Sequence, residues 1–380
     1  MSSSASSFQQ QAWKRLRRNK GAMAGLVVIA LALLAGIFAY FIAPDHTPYA
    51  NGMVLEISGQ KPGFKIDMLA LRKAQEPPRR SWFHRLVYGQ EAAVTVIPLK
   101  GWAFAGDSIR VEQYVDEATT LTQSYALAQV LYGKDSVITD LPAAQQTVRE
   151  EHLQTRRYWL GTDKFGRDIL SRLLVGTRVS LSVGSIAVII SLTIGIFLGA
   201  VAGYFRGVTD DAVMWLINVI WSVPTLLLVF AITLALGKGF WQVFVAVGLT
   251  MWVSVARIIR GQVLGLRELQ FVEATRALGY GHVRTISRHI LPNILGPVMV
   301  VAAGNFATAI VVEAGLSFLG VGVQPPQPSW GLMIKENYNF IITHNPLLAL
   351  APGFAIMLLV LAFNLLGNGL RDAMDVKGRI

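Results

Sequence analysis

The chain has 380 residues, of which 53% are hydrophobic and only 15% charged, with a mean hydropathy of +0.47. So large an apolar excess excludes an ordinary soluble domain and indicates a membrane protein. The formal charge is +11, but the Lys and Arg residues cluster beside apolar spans and no recognised nucleic-acid motif occurs, so anionic lipid headgroups are the expected counter-charge rather than nucleic acid. The absence of cysteine excludes disulfides, zinc-thiolate sites and thiol catalysis.

Residues 1–20 are rich in Ser and Gln and then carry Lys14, Arg15, Arg17, Arg18 and Lys20, directly before an uncharged run from Gly21 to Ala43. At about 1.5 Å per residue this run reaches roughly 34 Å, enough to cross a hydrocarbon core of about 30 Å. It is longer than a signal-peptide apolar region and no clear small-x-small site follows, so an uncleaved anchor is expected. From Pro44 to about Tyr158 the composition changes to charges, prolines and short alternating runs. Ala93–Ile97 and Ile109–Glu112 predict strands, and a more helical stretch is expected near Ala118 to Leu131. A small α+β domain fits this length, and sparse apolar content leaves a partly extended structure open.

The text from Leu160 reads LGTDKFGRDILSRLLVGTRVSLSVG. Thr162 or Asp163 is placed to cap a helix with Ile169, Leu173 and Leu174 on one stripe. Asp163 and Asp168 have no His, Cys or further acid beside them, which favours caps and salt bridges over paired-carboxylate catalysis. Uncharged runs then recur at Val179–Gly203, Ala212–Leu236, Phe240–Ala256, Ile294–Val312 and Pro346–Leu370, making six spans with the first. Pro224 is expected to kink the third, and Gly195, Gly199 and Gly203 allow close helix approach in the second. Short connecting segments on one side hold fifteen basic residues, against Lys238 and Lys335 on the other. The positive-inside rule therefore puts both termini and the stretch 257–293 in the cytoplasm; the long insert, to which the rule does not apply, follows to the outside.

Within that stretch, Phe271–Asn293 reads FVEATRALGYGHVRTISRHILPN. Phe271, Ala274 and Leu278 predict the apolar stripe of a short helix, Gly279-Tyr280-Gly281 a break, and Val283, Ile286 and Ile290 the face of a second helix. Pro292 marks the re-entry into the next span. Periodicity alone leaves open a surface-lying segment, a plain connection, or a helix docked in a partner's groove. Beyond the fifth span, Glu313 is an acid near the end of an apolar segment that must be paired, protonated or wet. No Gly-x-x-x-x-Gly-Lys-Ser/Thr loop and no Gly-x-Ser-x-Gly elbow occurs, and the six histidines, His344 among them, lack metal-ligand spacing.

Several of these stretches resemble one family. Glu273-Ala274 followed by Gly279 and by His289-Ile290-Leu291-Pro292 resembles the EAA loop of bacterial ABC importer permeases, in the oligopeptide, dipeptide and nickel branch. Gly161-Thr162-Asp163, Gly166-Arg167-Asp168 and Ser171-Arg172 are similar to the signature before that branch's second span. Glu313, Leu316–Gly320, Pro325-Pro326 and Pro328–Gly331 are similar to the stretch after its fifth, and Asn364–Gly367 and Gly369–Asp372 with Asp375 to its carboxyl end. Thr275, Asn368 and Val376 depart from the pattern, and the insert matches nothing recognised.

The resemblance implies an all-α integral membrane protein of six transmembrane helices with a cytoplasmic coupling helix, plus an inserted extracytoplasmic α+β segment. The expected division is a cytoplasmic segment 1–20, first span 21–43, insert 44–158, transmembrane domain 159–370 with coupling loop 257–293, and tail 371–380. It implies that Glu273, Ala274, Gly279, His289, Leu291 and Pro292 couple to an ATPase, and that Glu313, Ser317, Pro325, Pro326 and Trp330 serve gating or subunit packing. It further implies a second homologous permease, two cytoplasmic ATPase subunits that bind the ATP, and an extracytoplasmic binding protein, in a bacterial inner membrane, with no cofactor or metal held by this chain. Peptide is the expected solute, and nickel chelates or other small solutes the alternative. A self-sufficient secondary transporter or channel would need buried ionisable groups that, Glu313 apart, the spans lack.

Overall fold

The computed structural model describes residues 8–237, 239–342 and 345–374, with side chains from Ala12 onward. Lys238, His344, Asp375 and Val376, used above, lie outside the described residues. Five helical stretches are long and apolar enough to cross a membrane: Lys20–Ile37, Ile169–Phe205, Phe240–Arg267, His282–Leu319 and Leu347–Met374. The expected third span is not one helix. Gly207–Trp221 and Thr225–Leu236 are bent by 90° at Pro224, because proline removes a backbone donor and clashes with the preceding turn. Among the described residues there are thus five candidate spans, or six with the bent pair counted as one.

The chain divides into two compact units. One comprises Met1–Leu33, Val179–Gln324 and Phe354–Ile380. Its glycines set how closely helices approach. A Cβ at Gly195 would lie 2.5 Å from Val255 Cβ, at Gly199 2.5 Å from the Ala256 carbonyl oxygen, and at Gly203 2.8 Å from that of Arg260. The Gly-x-x-x-Gly-x-x-x-Gly row is therefore the seam along which Ile169–Phe205 lies on Phe240–Arg267. Elsewhere Gly25 faces the Ala362 carbonyl at 2.5 Å, and Asn19 caps the first span, accepting from the Ala22 N–H at 3.1 Å while its amide donates to Asp372 at 3.3 Å.

The other unit comprises Leu34–Arg178 and Pro325–Gly353. It holds a five-stranded antiparallel sheet of β1 (Phe64–Arg72), β2 (Val94–Ala105), β3 (Ser108–Tyr114), β4 (Thr120–Ala126) and β5 (Leu153–Tyr158), ordered β4-β3-β2-β1-β5. Period-two alternation gives it two buried faces. Leu69, Leu99, Ile109 and Val111 meet the short helices Leu127–Tyr132 and Leu141–Thr147, while Ile66, Met68, Tyr114 and Tyr158 close over Val54 and Ile57. The insert is thus a folded α+β element, and both predicted strands lie within it. The helix expected over 118–131 begins only at Leu127, because Thr120–Ala126 pairs in full register with β3.

Candidate functional site

The segment that resembles a coupling loop forms a helix, Gln270–Ala277, a turn, and a second short helix, His282–Thr285, running on through Ile286–Ile290 and Leu291–Ile294 into the span Leu295–Leu319. Gly279 makes the turn. At φ +74° it lies in the left-handed region; its N–H donates to the Arg276 carbonyl at 2.9 Å and the next N–H, of Tyr280, reaches back to Thr275 at 3.0 Å. These are the two bonds of a Schellman cap, which favours glycine at this position. Thr275 and Thr285 are both buried, with hydroxyls 3.3 Å apart, and Thr275 also donates to the Val272 carbonyl at 2.7 Å. The residue that departs from the family pattern thus ties the two short helices together.

On Gln270–Ala277 the buried face is not the apolar stripe, whereas Ile286 and Ile290 of the second predicted face do pack into the core. Val272 and Thr275 point inward, whereas Phe271, Ala274, Leu278 (70% exposed) and Val283 (81% exposed) are turned out. Val272, Ile290 and Ile294 pack on Val255, Ile259 and Val263, and the Tyr204 hydroxyl meets His282 Nδ1 at 3.1 Å. The result is a firmly mounted hairpin of two short helices with an apolar outer face and acidic Glu273 beside it. Of the other predicted residues, His289 stacks on Tyr280 at 5.7 Å between ring centroids, Leu291 is partly buried in the same core, and exposed Pro292 begins the turn into the next span.

Glu313 is fully buried and accepts from the Ser317 hydroxyl at 2.6 Å, while Ser317 accepts from the Val323 N–H at 3.0 Å. These bonds hold the chain where it turns at Gly320, φ +84°. Trp330 belongs to the other unit; there its indole donates to the Leu173 carbonyl at 3.1 Å and its ring covers Gly176, where a Cβ would come within 3.0 Å. Pro325 and Pro326 are exposed.

A charged cluster inaccessible to sequence reasoning lies in that second unit. Arg167, 1% exposed, donates from Nε to Asp163 and from Nη2 to Glu336 at 2.6 and 2.7 Å, and from Nη1 to Asn51 at 3.3 Å. Arg172 adds a second guanidinium, 3.3 Å from Glu336. Two buried cations therefore balance buried Asp163 and the largely covered carboxylate of Glu336, which is the condition for burying them at all. Asp168, not Thr162 or Asp163, caps the helix from Ile169, accepting from the Ser171 N–H at 2.8 Å; burial pushes its carboxyl above the ordinary 3.8, against the Ser171 bonds.

Two family descriptions match. Residues 195–379 match the binding-protein-dependent transport system inner membrane component, and residues 7–56 the N-terminal transmembrane domain of oligopeptide transport permease C, leaving 57–194 unmatched. The glutathione transport system permease protein GsiD of Pectobacterium atrosepticum is 42% identical over 220 residues, 58% of this chain and 73% of that protein. The dipeptide transport system permease protein DppC of Alkalihalophilus pseudofirmus is 42% identical over 58% of this chain and 72% of its own length. The oligopeptide transport system permease protein OppC of Bacillus subtilis is 39% identical over 59% and 73%. The chain belongs to the family of binding-protein-dependent transport system inner membrane components, as a multi-pass, non-catalytic ABC transporter permease of the oligopeptide permease C type.

Proposed function

We propose that this chain is one of two homologous permease subunits of an ATP-driven importer of di- or oligopeptides, coupled to separate ATPase subunits through Phe271–Asn293. The observation that carries the reading is the outward apolar face of Phe271, Ala274, Leu278 and Val283 on a hairpin whose other face is locked into the span core. An exposed apolar stripe on a rigid mount is what a groove-docked helix presents. Glu273 and Ala274 lie on the docking helix, Gly279 shapes its end, and His289, Leu291 and Pro292 carry its displacement into the span Leu295–Leu319. Transport then follows from alternating access: ATP binding draws paired coupling helices together and favours the outward-open state, and hydrolysis resets it.

In this reading the permease core is 159–370, its six spans include the bent pair around Pro224, and both termini face the cytoplasm by the basic-residue asymmetry. Glu313, Ser317, Pro325, Pro326 and Trp330 belong to the gate or to packing against the partner permease. The relatives named for dipeptide, oligopeptide and glutathione transport make peptide the favoured solute class over nickel chelates, with selection by an extracytoplasmic binding protein.

Co-purification of the tagged chain from its native membrane, with mass spectrometry of what accompanies it, tests the assembly. A second permease and an ATPase carrying a phosphate loop are expected with the wild type, and the ATPase is lost with Gly279→Arg. A wild-type chain that purifies alone and moves solute in liposomes without ATP contradicts the proposal.

A further inference from the structure

The insert carries an exposed aromatic helix in an unexpected place. Trp82–Tyr88 is a single short helix, capped at one end by Ser81, which accepts from the His84 N–H at 3.3 Å, and stopped by Gly89 at φ +79°. Trp82 is 62% exposed and Phe83 68%. Arg79, Arg80 and Arg85 are exposed around them. In an aqueous domain two adjacent, largely exposed rings of this size are costly, and no sheet packing requires them.

Their position supplies the reason. The Trp82 ring stacks on Phe41 at 6.1 Å between centroids, and the Arg85 guanidinium stands 5.9 Å from the same Phe41 ring. Phe41 is in the short helix Ala39–Ile42 that ends the first apolar run, where Ile42 is also exposed. On the other side, Arg178 donates to the Leu86 carbonyl at 2.9 Å and lies 5.1 Å from the Tyr40 ring. Arg178 is the last charged residue before the uncharged run Val179–Gly203. The helix is therefore fastened at the ends of two apolar runs, the depth at which hydrocarbon gives way to headgroups. Trp and Tyr favour that depth, and arginines there meet lipid phosphates.

We infer that Trp82–Tyr88 is an interfacial anchor, with Trp82 and Phe83 seated in the lipid leaflet on the insert's side and Arg79 and Arg80 on its headgroups. The exposed surface of the helix continues that of Phe41 and Ile42, so lipid already bordering the span also covers the rings. The anchor fixes the insert against the membrane independently of the coupling reading and requires only that the apolar runs span a bilayer.

The cysteine-free sequence permits a direct test on the full-length chain. An environment-sensitive fluorophore is attached to Phe83→Cys, and separately to Val137→Cys, which is 91% exposed in the loop between Leu127–Tyr132 and Leu141–Thr147. Each is reconstituted into nanodiscs of phosphatidylcholine and phosphatidylglycerol, with and without brominated acyl chains. The probe at 83 is expected to be quenched several-fold more by bromolipid than the probe at 137 and to be shielded from aqueous iodide. Arg79→Gln and Arg80→Gln are each expected to reduce its preference for phosphatidylglycerol about fivefold, equivalent to about 1 kcal/mol per charge near an anionic surface. Equal iodide access at both positions, or shielding at 83 from iodide and bromolipid alike, overturns the inference.

Discussion

Gly279→Val is expected to leave the chain in the membrane while removing most ATP-driven uptake. The substitution meets no steric obstacle, since a Cβ at position 279 has nothing within 4 Å; the penalty lies in the backbone, held at φ +74°. A left-handed conformation costs an L-residue about 1–2 kcal/mol, which is about five- to thirtyfold in the population of the Schellman turn, and a β-branched residue pays the most. Losing the turn draws Val272 away from the core of Val255, Ile259 and Val263, and Thr275 away from Thr285. Asn tolerates the conformation best among L-residues, so the expected order of uptake per membrane-inserted chain is glycine, then Asn, then Ala, then Val. Val transporting at the wild-type rate would show that this turn does not set the coupling geometry.

Arg167→Ala is expected to be among the most destabilising single changes in the chain. It leaves Asp163 and Glu336 sharing the single cation of Arg172, and breaking a buried ion pair by removing one partner costs about 3–5 kcal/mol. Arg167→Lys should restore only part of this, because one ammonium cannot bond Asp163, Glu336 and Asn51 in the planar fork that the guanidinium uses. Restoring charge balance by Arg167→Met with Glu336→Gln is expected to recover more stability than Arg167→Ala alone retains. Thermal unfolding of the detergent-solubilised protein reads all three, and an unchanged Tm for Arg167→Ala would refute the account of this cluster.

What the sequence made legible follows the range of the interactions. Apolar runs report lipid exposure residue by residue, so the spans were readable, as was the glycine row at 195, 199 and 203. Pro224 announced a kink, but the 90° turn depends on what packs around the two halves. The hairpin at 271–293 shows the limit most clearly. Periodicity identified two apolar faces and could not say which is covered, and the tertiary core of Val255, Ile259 and Val263 takes Val272 rather than Phe271 and Leu278. Thr120–Ala126 was read as helical because its strand identity comes from pairing with β3 and not from its own polar residues. Asp163 was expected to cap a helix or join a salt bridge, but its partner Arg167 was not named from the sequence. Glu336, 169 positions from Arg167, carries no local sign of its role, and neither do Trp82 and Phe83.

The coupling claim rests on which face of Gln270–Ala277 looks outward, and the lack of native cysteine allows that face to be probed in the assembled transporter. Single cysteines are introduced at Ala274, which is exposed, and at Val272, which is buried, and each is treated with a short thiol-to-amine cross-linker in native membranes. The expected result is a cross-link from position 274 to an ATPase subunit, strengthened or weakened by ATP, and none from position 272. A cross-link from neither position, in membranes where the chain still supports ATP-driven uptake, would contradict the account.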